Sequence, residues 1–186
     1  MRVPVIVLAA STLLAGCFAS TPVYEGDMSG VPTQLTRVQA GKVDMGLPAG
    51  WEPARTADHA SNWAADVQQA YQKQVPGGAA ILSTTCFSMF LSKNAMADTM
   101  RSSIDPNAVK ILGPSRVDSP SMMDPEFEVY DFDTIAEGRR LKFTALIAWK
   151  LDGGIGGCKY GLFMVGPRVG KQTMLNDFLA ILGSLS

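Results

Sequence analysis

Apolar and polar positions alternate with a period of two in the C-terminal half of the chain. Over residues 141–151 every second side chain is apolar, the pattern of a strand with one buried face. Glu137-Gly138 precedes this segment and indicates a hairpin turn. The strand predicted before the turn, residues 127–135, slips in its apolar phase between Val129 and Tyr130, which indicates a β-bulge or burial on both faces.

Other segments have the composition of strands. They are residues 43–47, 79–90, 109–112 and 158–166. Gly113-Pro114 follows the short segment 109–112, and since proline is confined to strand edges and ends, an edge or entry strand is expected there.

Three segments have the 3.6-residue period of amphipathic helices. They are residues 58–74, 94–103 and 171–185. In the first, Trp63, Val67 and Tyr71 would share one face. Pro76-Gly77-Gly78 would end that helix. The last has an apolar stripe that requires a sheet to cover it.

The order of these elements predicts a single α+β domain over residues 35–186. We expect an antiparallel sheet of about five to six strands with helices packed on it. Residues 17–34 are rich in Ser, Thr, Pro and Gly and have few large apolar side chains. Such a composition offers little to offset the entropy of ordering, so this stretch is predicted to be a flexible tether.

The N-terminus has the layout of a secretory signal. Arg2 precedes an apolar run that is too short and too interrupted for a membrane-spanning helix, which requires roughly 20 apolar residues. The run ends in Leu14-Ala15-Gly16-Cys17, which resembles the lipobox of bacterial lipoproteins. This resemblance implies that residues 1–16 are removed as a signal peptide, that the Cys17 thiol is alkylated by a diacylglyceryl group and that the new N-terminus is acylated. An ordinary cleaved secretory signal is the alternative.

The residue after the lipobox indicates where such a lipoprotein would reside. In enterobacterial lipoproteins an aspartate at this position favours retention in the inner membrane, and here the residue is Phe18. The resemblance therefore implies a lipid-anchored protein of the outer membrane that faces the periplasm, with the inner membrane as the alternative.

The element order has a second resemblance. With Leu47-Pro48-Ala49-Gly50-Trp51 near its start and residues 178–185 at its end, the domain is similar to the α/β/α sandwich of the PsbP-like group. The resemblance implies helices on both sides of the sheet. It implies no particular activity, because members of that group differ widely in function.

The chain has three cysteines. If Cys17 carries lipid, Cys86 and Cys158 remain as a pair in a compartment where disulfides persist, and we predict that they are joined. The chain-entropy account assigns such a bond about 4 kcal/mol of stabilisation. Two buried free thiols are the alternative.

The charge and the histidine content exclude several functions. A formal net charge of -1 provides no basic field for binding nucleic acid. His59 is the only histidine, and neither a catalytic triad nor a metal site of nitrogen and sulfur ligands can be assembled around it. We therefore expect no metal, no cofactor and a His59 that faces solvent or caps a helix.

The most prominent polar pattern is an acidic run that contains Asp131 and Asp133. Alternate positions place these two carboxylates on one face of a strand, about 7 Å apart, where they would suit a cation or an acid and base pair. Arg139 and Arg140 lie across the hairpin turn and would neutralise them. The pattern therefore favours a charge-matched surface over a catalytic site.

Together these features predict a non-enzymatic binding module that a lipid anchor holds at the membrane. Its expected partner is another protein of the cell envelope. The alternative is a carrier of a small apolar ligand held between the sheet and the helices, and an enzyme using the acidic strand is disfavoured.

Overall fold

The structure is a computed structural model of the chain. It describes residues 21–40, 43–54, 66–88, 90–118, 125–149 and 158–186, the side chains of 66–68 and 158 excepted. The predicted signal peptide, the predicted lipidation site Cys17 and the histidine His59 lie outside the described residues.

The described residues form β-strands and two α-helices. The strands are β1 (Leu35–Ala40), β2 (Val43–Pro48), β3 (Glu52–Pro53), β4 (Asp66–Val75), β5 (Gly78–Ser88), β6 (Val109–Arg116), β7 (Glu126–Ala136), β8 (Arg139–Trp149) and β9 (Cys158–Pro167). The helices are α1 (Lys93–Ser102) and α2 (Lys171–Gly183), and a short 3-10 helix (Arg168–Gly170) leads into α2.

Seven of the strands form one antiparallel sheet in the order β3-β4-β5-β9-β8-β7-β6. Strands β1 and β2 form a separate antiparallel pair. The predicted α+β class is thus confirmed, with a sheet somewhat larger than expected. Strand β6 lies at one edge of this sheet, in agreement with the edge position expected for the segment before Gly113-Pro114.

The helices cover opposite faces of the large sheet. On one face Met96 and Met100 of α1 form a buried cluster with Ile147 of β8. On the other, Phe178 of α2 is buried in a cluster with Leu146, the residue next to Ile147, and with residues of β1 and β2. Successive side chains of a strand point to opposite faces, so the central strands are apolar on both. Any relation to the PsbP-like group stays a prediction.

The chain before β1 is bound to the domain. The main-chain N–H of Tyr24 donates to Arg116 O and that of Arg116 donates to Pro22 O, both at 2.9 Å. The ring of Tyr24 contacts that of Phe127 edge-on, with centroids 5.6 Å apart. Within the stretch 17–34 predicted as a flexible tether, Pro22 and Tyr24 are thus held to the domain by main-chain hydrogen bonds and by an aromatic contact.

The helix predicted for residues 58–74 is wrong over its described part, where the chain forms strand β4 instead. Tyr71 and Val75 are buried on the α2 side of the sheet, and Lys73 lies between them in sequence. The alternation of apolar and polar residues that marks a strand is hidden here, because Lys73 occupies a core-facing position. Pro76-Gly77 then forms the tight turn to β5, with Gly77 at a φ of 88° that suits glycine.

Both hairpin strands predicted on either side of Glu137-Gly138 are confirmed. Glu137 and Gly138 have φ values of 50° and 73°, as the central residues of a type I′ turn require. The slip in apolar phase in β7 reflects burial on both faces, since residues 127–130 are all buried. The pairing of β7 with β8 continues without a bulge. The register shifts lie in β6, between Lys110 and Leu112 and between Leu112 and Ser115.

A buried carboxylate explains how Lys73 is accommodated. Asp177 of α2, almost fully buried, accepts hydrogen bonds from Lys73 Nζ at 2.7 Å and from Trp51 Nε1 at 2.9 Å. The lysine and the aspartate lie 104 residues apart in the chain. Neither local pattern therefore indicates the pair, which joins α2 to β4.

Removing the ammonium group of Lys73 should destabilise the fold. The variant Lys73→Met keeps the aliphatic stem but leaves the buried Asp177 without a cation, with Trp51 as its remaining donor. An uncompensated buried charge costs about 3 kcal/mol. Urea unfolding should show this loss in the free energy of unfolding. The matched change Lys142→Met, at an exposed position of β8, should alter it by less than about 0.5 kcal/mol. Equal effects of the two changes would contradict the role of the pair.

The strand register bears on the predicted disulfide. Cys86 lies opposite Tyr160 and Cys158 lies opposite Ser88 on the adjacent strands β5 and β9. The two cysteines are therefore diagonal neighbours on the same face of the sheet. The bond itself stays a prediction, because the side chain of Cys158 lies outside the described residues.

Thiol labelling of the denatured chain checks the disulfide. Without reduction we expect no label on Cys86 or Cys158, and after reduction we expect label on both. Full labelling of both before reduction would show that the two thiols are free.

Candidate functional site

The β7–β8 hairpin extends past its neighbour β6. Strand β6 pairs with β7 only as far as Asp131, opposite Val109. Strands β7 and β8 stay paired to Ala136, opposite Arg139. The outer edge of β7 from Phe132 to Ala136 is therefore without a strand partner among the described residues.

A groove of about 680 Å³ lies along this free edge. We call it the edge groove, and its lining residues are Asn107, Val109, Ile111, Asp131, Phe132, Asp133, Thr134, Ile135, Arg140 and Arg168. The volume falls within the range of clefts that bind ligands, roughly 300 to 1,000 Å³. The walls come from three places in the chain: the start of β6, the hairpin, and the turn after β9.

Asp133 lies between two arginines. It accepts hydrogen bonds from Arg140 Nε at 2.7 Å and from Arg168 Nη2 at 2.6 Å. Loss of solvation raises the pKa of Asp133, but the hydrogen bonds and charges of Arg140 and Arg168 outweigh it and hold that pKa below its ordinary value. This carboxylate is therefore ionised and does not suit the role of a general acid.

Asp131 is also engaged. Thr144 Oγ1 donates to its Oδ1 at 2.6 Å and Lys171 Nζ donates to its Oδ2 at 3.2 Å. Arg168 Nε lies 3.5 Å from the same Oδ2. The two aspartates thus share Arg168, which is consistent with their expected position on one face of the strand.

The predicted surface site is assembled only in part. Asp131, Asp133 and Arg140 come together in the edge groove, while Arg139 is exposed and outside its lining. Arg168 and Lys171 complete the charge network, although they follow Asp133 and Asp131 by 35 and 40 residues. Their position in the sequence provides one signal. Basic residues at the start of a helix interact unfavourably with the helix dipole, so acidic partners elsewhere in the chain are expected for them.

The charged cluster at the edge groove has one more cation than carboxylate, and the groove has an apolar rim. Arg140 and Arg168 line the groove and Lys171 lies outside its lining, and all three contact its two carboxylates. The apolar rim includes Ile135 and Val109, which are 78% and 64% exposed. Such an arrangement suits binding: both carboxylates are held by cations, and among the described residues no three His, Cys, Asp or Glu side chains are grouped to hold a metal ion.

A second charged cluster lies on the opposite face of β7, beneath α1. Glu128 is fully buried there, although the sequence places it in the same acidic run as Asp131. Its two carboxylate oxygens accept hydrogen bonds from Arg101 Nε at 2.8 Å and Nη2 at 2.9 Å. Tyr130 Oη donates at 2.6 Å and Lys110 Nζ at 3.0 Å. Because the burial of Glu128 depends on cations from α1 and β6, the acidic run by itself does not indicate it.

This cluster is organised to keep Glu128 charged. Burial raises the pKa of Glu128, but the hydrogen bonds from Arg101, Tyr130 and Lys110 outweigh it and leave that pKa below its ordinary value. Burial, together with the adjacent Glu128, raises the pKa of Tyr130 to about 12. The guanidinium of Arg101 also stacks over Trp149, 5.5 Å from the ring centroid. Since its carboxylate is surrounded by donors, the cluster serves to hold α1 on the sheet.

The interior offers no room for a ligand at the gap between the sheet and α2. This gap, bounded by Ala148, Tyr160 and Leu182 among others, has a volume of about 10 Å³. A cavity of that size holds at most about one water molecule. It gives the carrier hypothesis no support.

No helix among the described residues is long and apolar enough to span a membrane.

Comparison with known proteins identifies a similar fold but no family. No family model and no curated protein matches the chain. Among solved structures, it is similar to LpqN, described as involved in cell envelope biogenesis of Mycobacterium tuberculosis. The match has a TM-score of 0.53 at 10% sequence identity and covers 82% of this chain and 90% of LpqN. At that identity the similarity shows a shared fold.

The Glu128 cluster predicts how stability depends on pH. Glu128 has a lower pKa in the folded chain than in the unfolded chain, so its contribution is present above the unfolded value of about 4.5 and is lost as the pH falls through the folded value. Glu128→Gln should lower the free energy of unfolding by about 2 to 3 kcal/mol near neutral pH. The difference from wild type should then shrink as the pH is lowered toward about 3.

A matched control changes the exposed partner of the same arginine. Asp98, whose side chain is 72% exposed, pairs with Arg101 at 2.8 Å. Asp98→Asn should cost less than about 0.5 kcal/mol at neutral pH. If Glu128→Gln behaves like this control in urea unfolding across the pH range, the cluster has no special role in stability.

Proposed function

We propose that this chain is a lipid-anchored lipoprotein of the cell envelope and that it acts without catalysis, by binding another envelope protein. The resemblance of Leu14-Ala15-Gly16-Cys17 to a lipobox supports the anchor. The fold shared with LpqN, a protein involved in cell envelope biogenesis, supports the compartment. The residue Phe18 after the lipobox favours the outer membrane, with the domain facing the periplasm.

The edge groove is the observation that carries the binding role. It combines a strand edge that has no partner in the described part of the chain with exposed apolar side chains, the features that mark interaction surfaces in soluble domains. Its two carboxylates are held by Arg140, Arg168 and Lys171, so the charges of the groove are arranged for recognition rather than for proton transfer.

The position of the groove suits a partner away from the anchoring membrane. The described chain enters the domain at Pro22 and Tyr24, beside Arg116, which is paired with Glu126 at the start of β7. The hairpin turn lies at the other end of β7. At about 3.3 Å per residue the two ends of this strand are roughly 30 Å apart. A lipid on Cys17, close before the entry point, would leave the groove directed into the periplasm.

Photo-crosslinking in cells tests this proposal. A photoreactive residue in place of Ile135, on the rim of the groove, should give a reproducible adduct with one envelope protein. The same residue in place of Gln39, an exposed position of β1, should not give that adduct. An absence of adducts from Ile135, or identical adducts from both positions, would contradict binding through the groove.

The anchor has its own control in the same cells. The lipidated chain should fractionate with membranes, and Cys17→Ala should release the domain into the soluble fraction and weaken the adduct at Ile135. A Cys17→Ala chain that fractionates as wild type would rule out lipid as the attachment.

A further inference from the structure

We propose that the partner contributes an extended acidic segment, which adds as a strand to the outer edge of β7 between Phe132 and Ala136. This inference rests on the function proposed above and specifies its partner by chemistry and by binding mode. In strand addition, main-chain hydrogen bonds supply affinity and the alternate side chains supply specificity.

The edge is continuous with one that already accepts a strand. Strand β6 pairs antiparallel with β7 and begins at Val109. Just before it the chain turns at Asp105, whose O accepts from the N–H of Ala108 at 2.8 Å. Among the described residues the line of β6 is therefore left open beside Phe132 to Ala136, and an incoming strand would prolong the sheet along the same edge.

The exposed apolar residues indicate that a partner covers this edge. Natural proteins protect free edges with charges, bulges or an overlying segment. Here Ile135 on the free edge and Val109 at the start of β6 are largely exposed and line one groove. An extended segment laid along the edge would bury both side chains.

The charges select an acidic segment. Arg168 lines the groove, and its Nη2 donates to Asp133 Oδ1 at 2.6 Å. Arg140 has a side chain that is 75% exposed. Acidic side chains would meet this positive surplus, whereas basic ones would face like charges across the interface.

An anionic membrane surface would also attract these cations, but the fold disfavours it. The groove lies beside the hairpin end of β7, and the chain enters at the opposite end, beside Arg116. A lipid surface also offers no main-chain groups to the unpaired edge. An extended protein segment satisfies both the charges and the edge.

Selection from a peptide library on the full chain provides the test. The library consists of random peptides of roughly eight residues, a usual strand length. We expect enrichment of peptides rich in Asp and Glu, with slower amide hydrogen exchange over residues 132–136 when they bind. An N-methylated copy of an enriched peptide, which lacks main-chain donors, should lose binding.

Two variants of the hairpin provide a matched pair. Arg140→Glu reverses a charge in the groove and should raise the Kd of an enriched peptide on the order of tenfold. Arg139→Glu makes the same reversal at an exposed neighbour outside the groove and should change the Kd less than about twofold. Hydrogen exchange without peptide shows whether each variant keeps the hairpin paired.

The inference is overturned if no peptide is enriched, if enriched peptides have no acidic bias, or if N-methylation leaves binding intact. It is also overturned if the full chain binds vesicles of anionic lipid through Arg140 and enriches no peptide. In those cases a reproducible adduct from Ile135 in cells would still support the proposed binding function. Loss of that adduct together with peptide binding would remove both.

Discussion

A buried carboxylate ties each of the two described α-helices to the sheet. Glu128 of β7 binds Arg101 of α1 on one face, and Asp177 of α2 binds Lys73 of β4 on the other. Buried pairs of this kind add little net stability compared with apolar packing, but a broken pair is costly. These pairs therefore mainly fix the position of each helix, because a helix that slid along the apolar sheet would leave a charge unpaired.

Fixing both helices determines where the sheet is covered and where it is exposed. Along β7 the residues 127–130 are buried, and from Asp131 onward the side chains become progressively more exposed toward the hairpin turn. The start of α2 contributes Lys171 to this boundary, and the preceding turn contributes Arg168. The edge groove thus forms where the covered sheet ends, and two of the cations around it, Arg168 and Lys171, lie at the start of the helix that Asp177 holds in place.

Local patterns in the sequence predict the elements whose partners are near in the chain or uniformly apolar. The alternation in residues 141–151 and the Glu137-Gly138 turn belong to one hairpin and are reproduced in β7 and β8. Strand β4 is missed because Lys73 occupies a core-facing position that only the distant Asp177 makes acceptable. The same reason applies to the edge groove. Asp131, Asp133 and Arg140 lie close together in sequence on one hairpin and could be predicted. Arg168 is distant in sequence, and only the sheet topology brings it next to them.

An unpaired edge is a liability for a domain of this kind, because it invites pairing with a second copy. A lipid anchor would increase that risk by confining copies to one surface. The charge at the edge groove opposes it, because two such edges would bring together two clusters that each have one more cation than carboxylate. Like charges across an interface are destabilising and suppress unintended partners. The surplus of cations that would attract an acidic strand therefore also keeps the edge from pairing with itself.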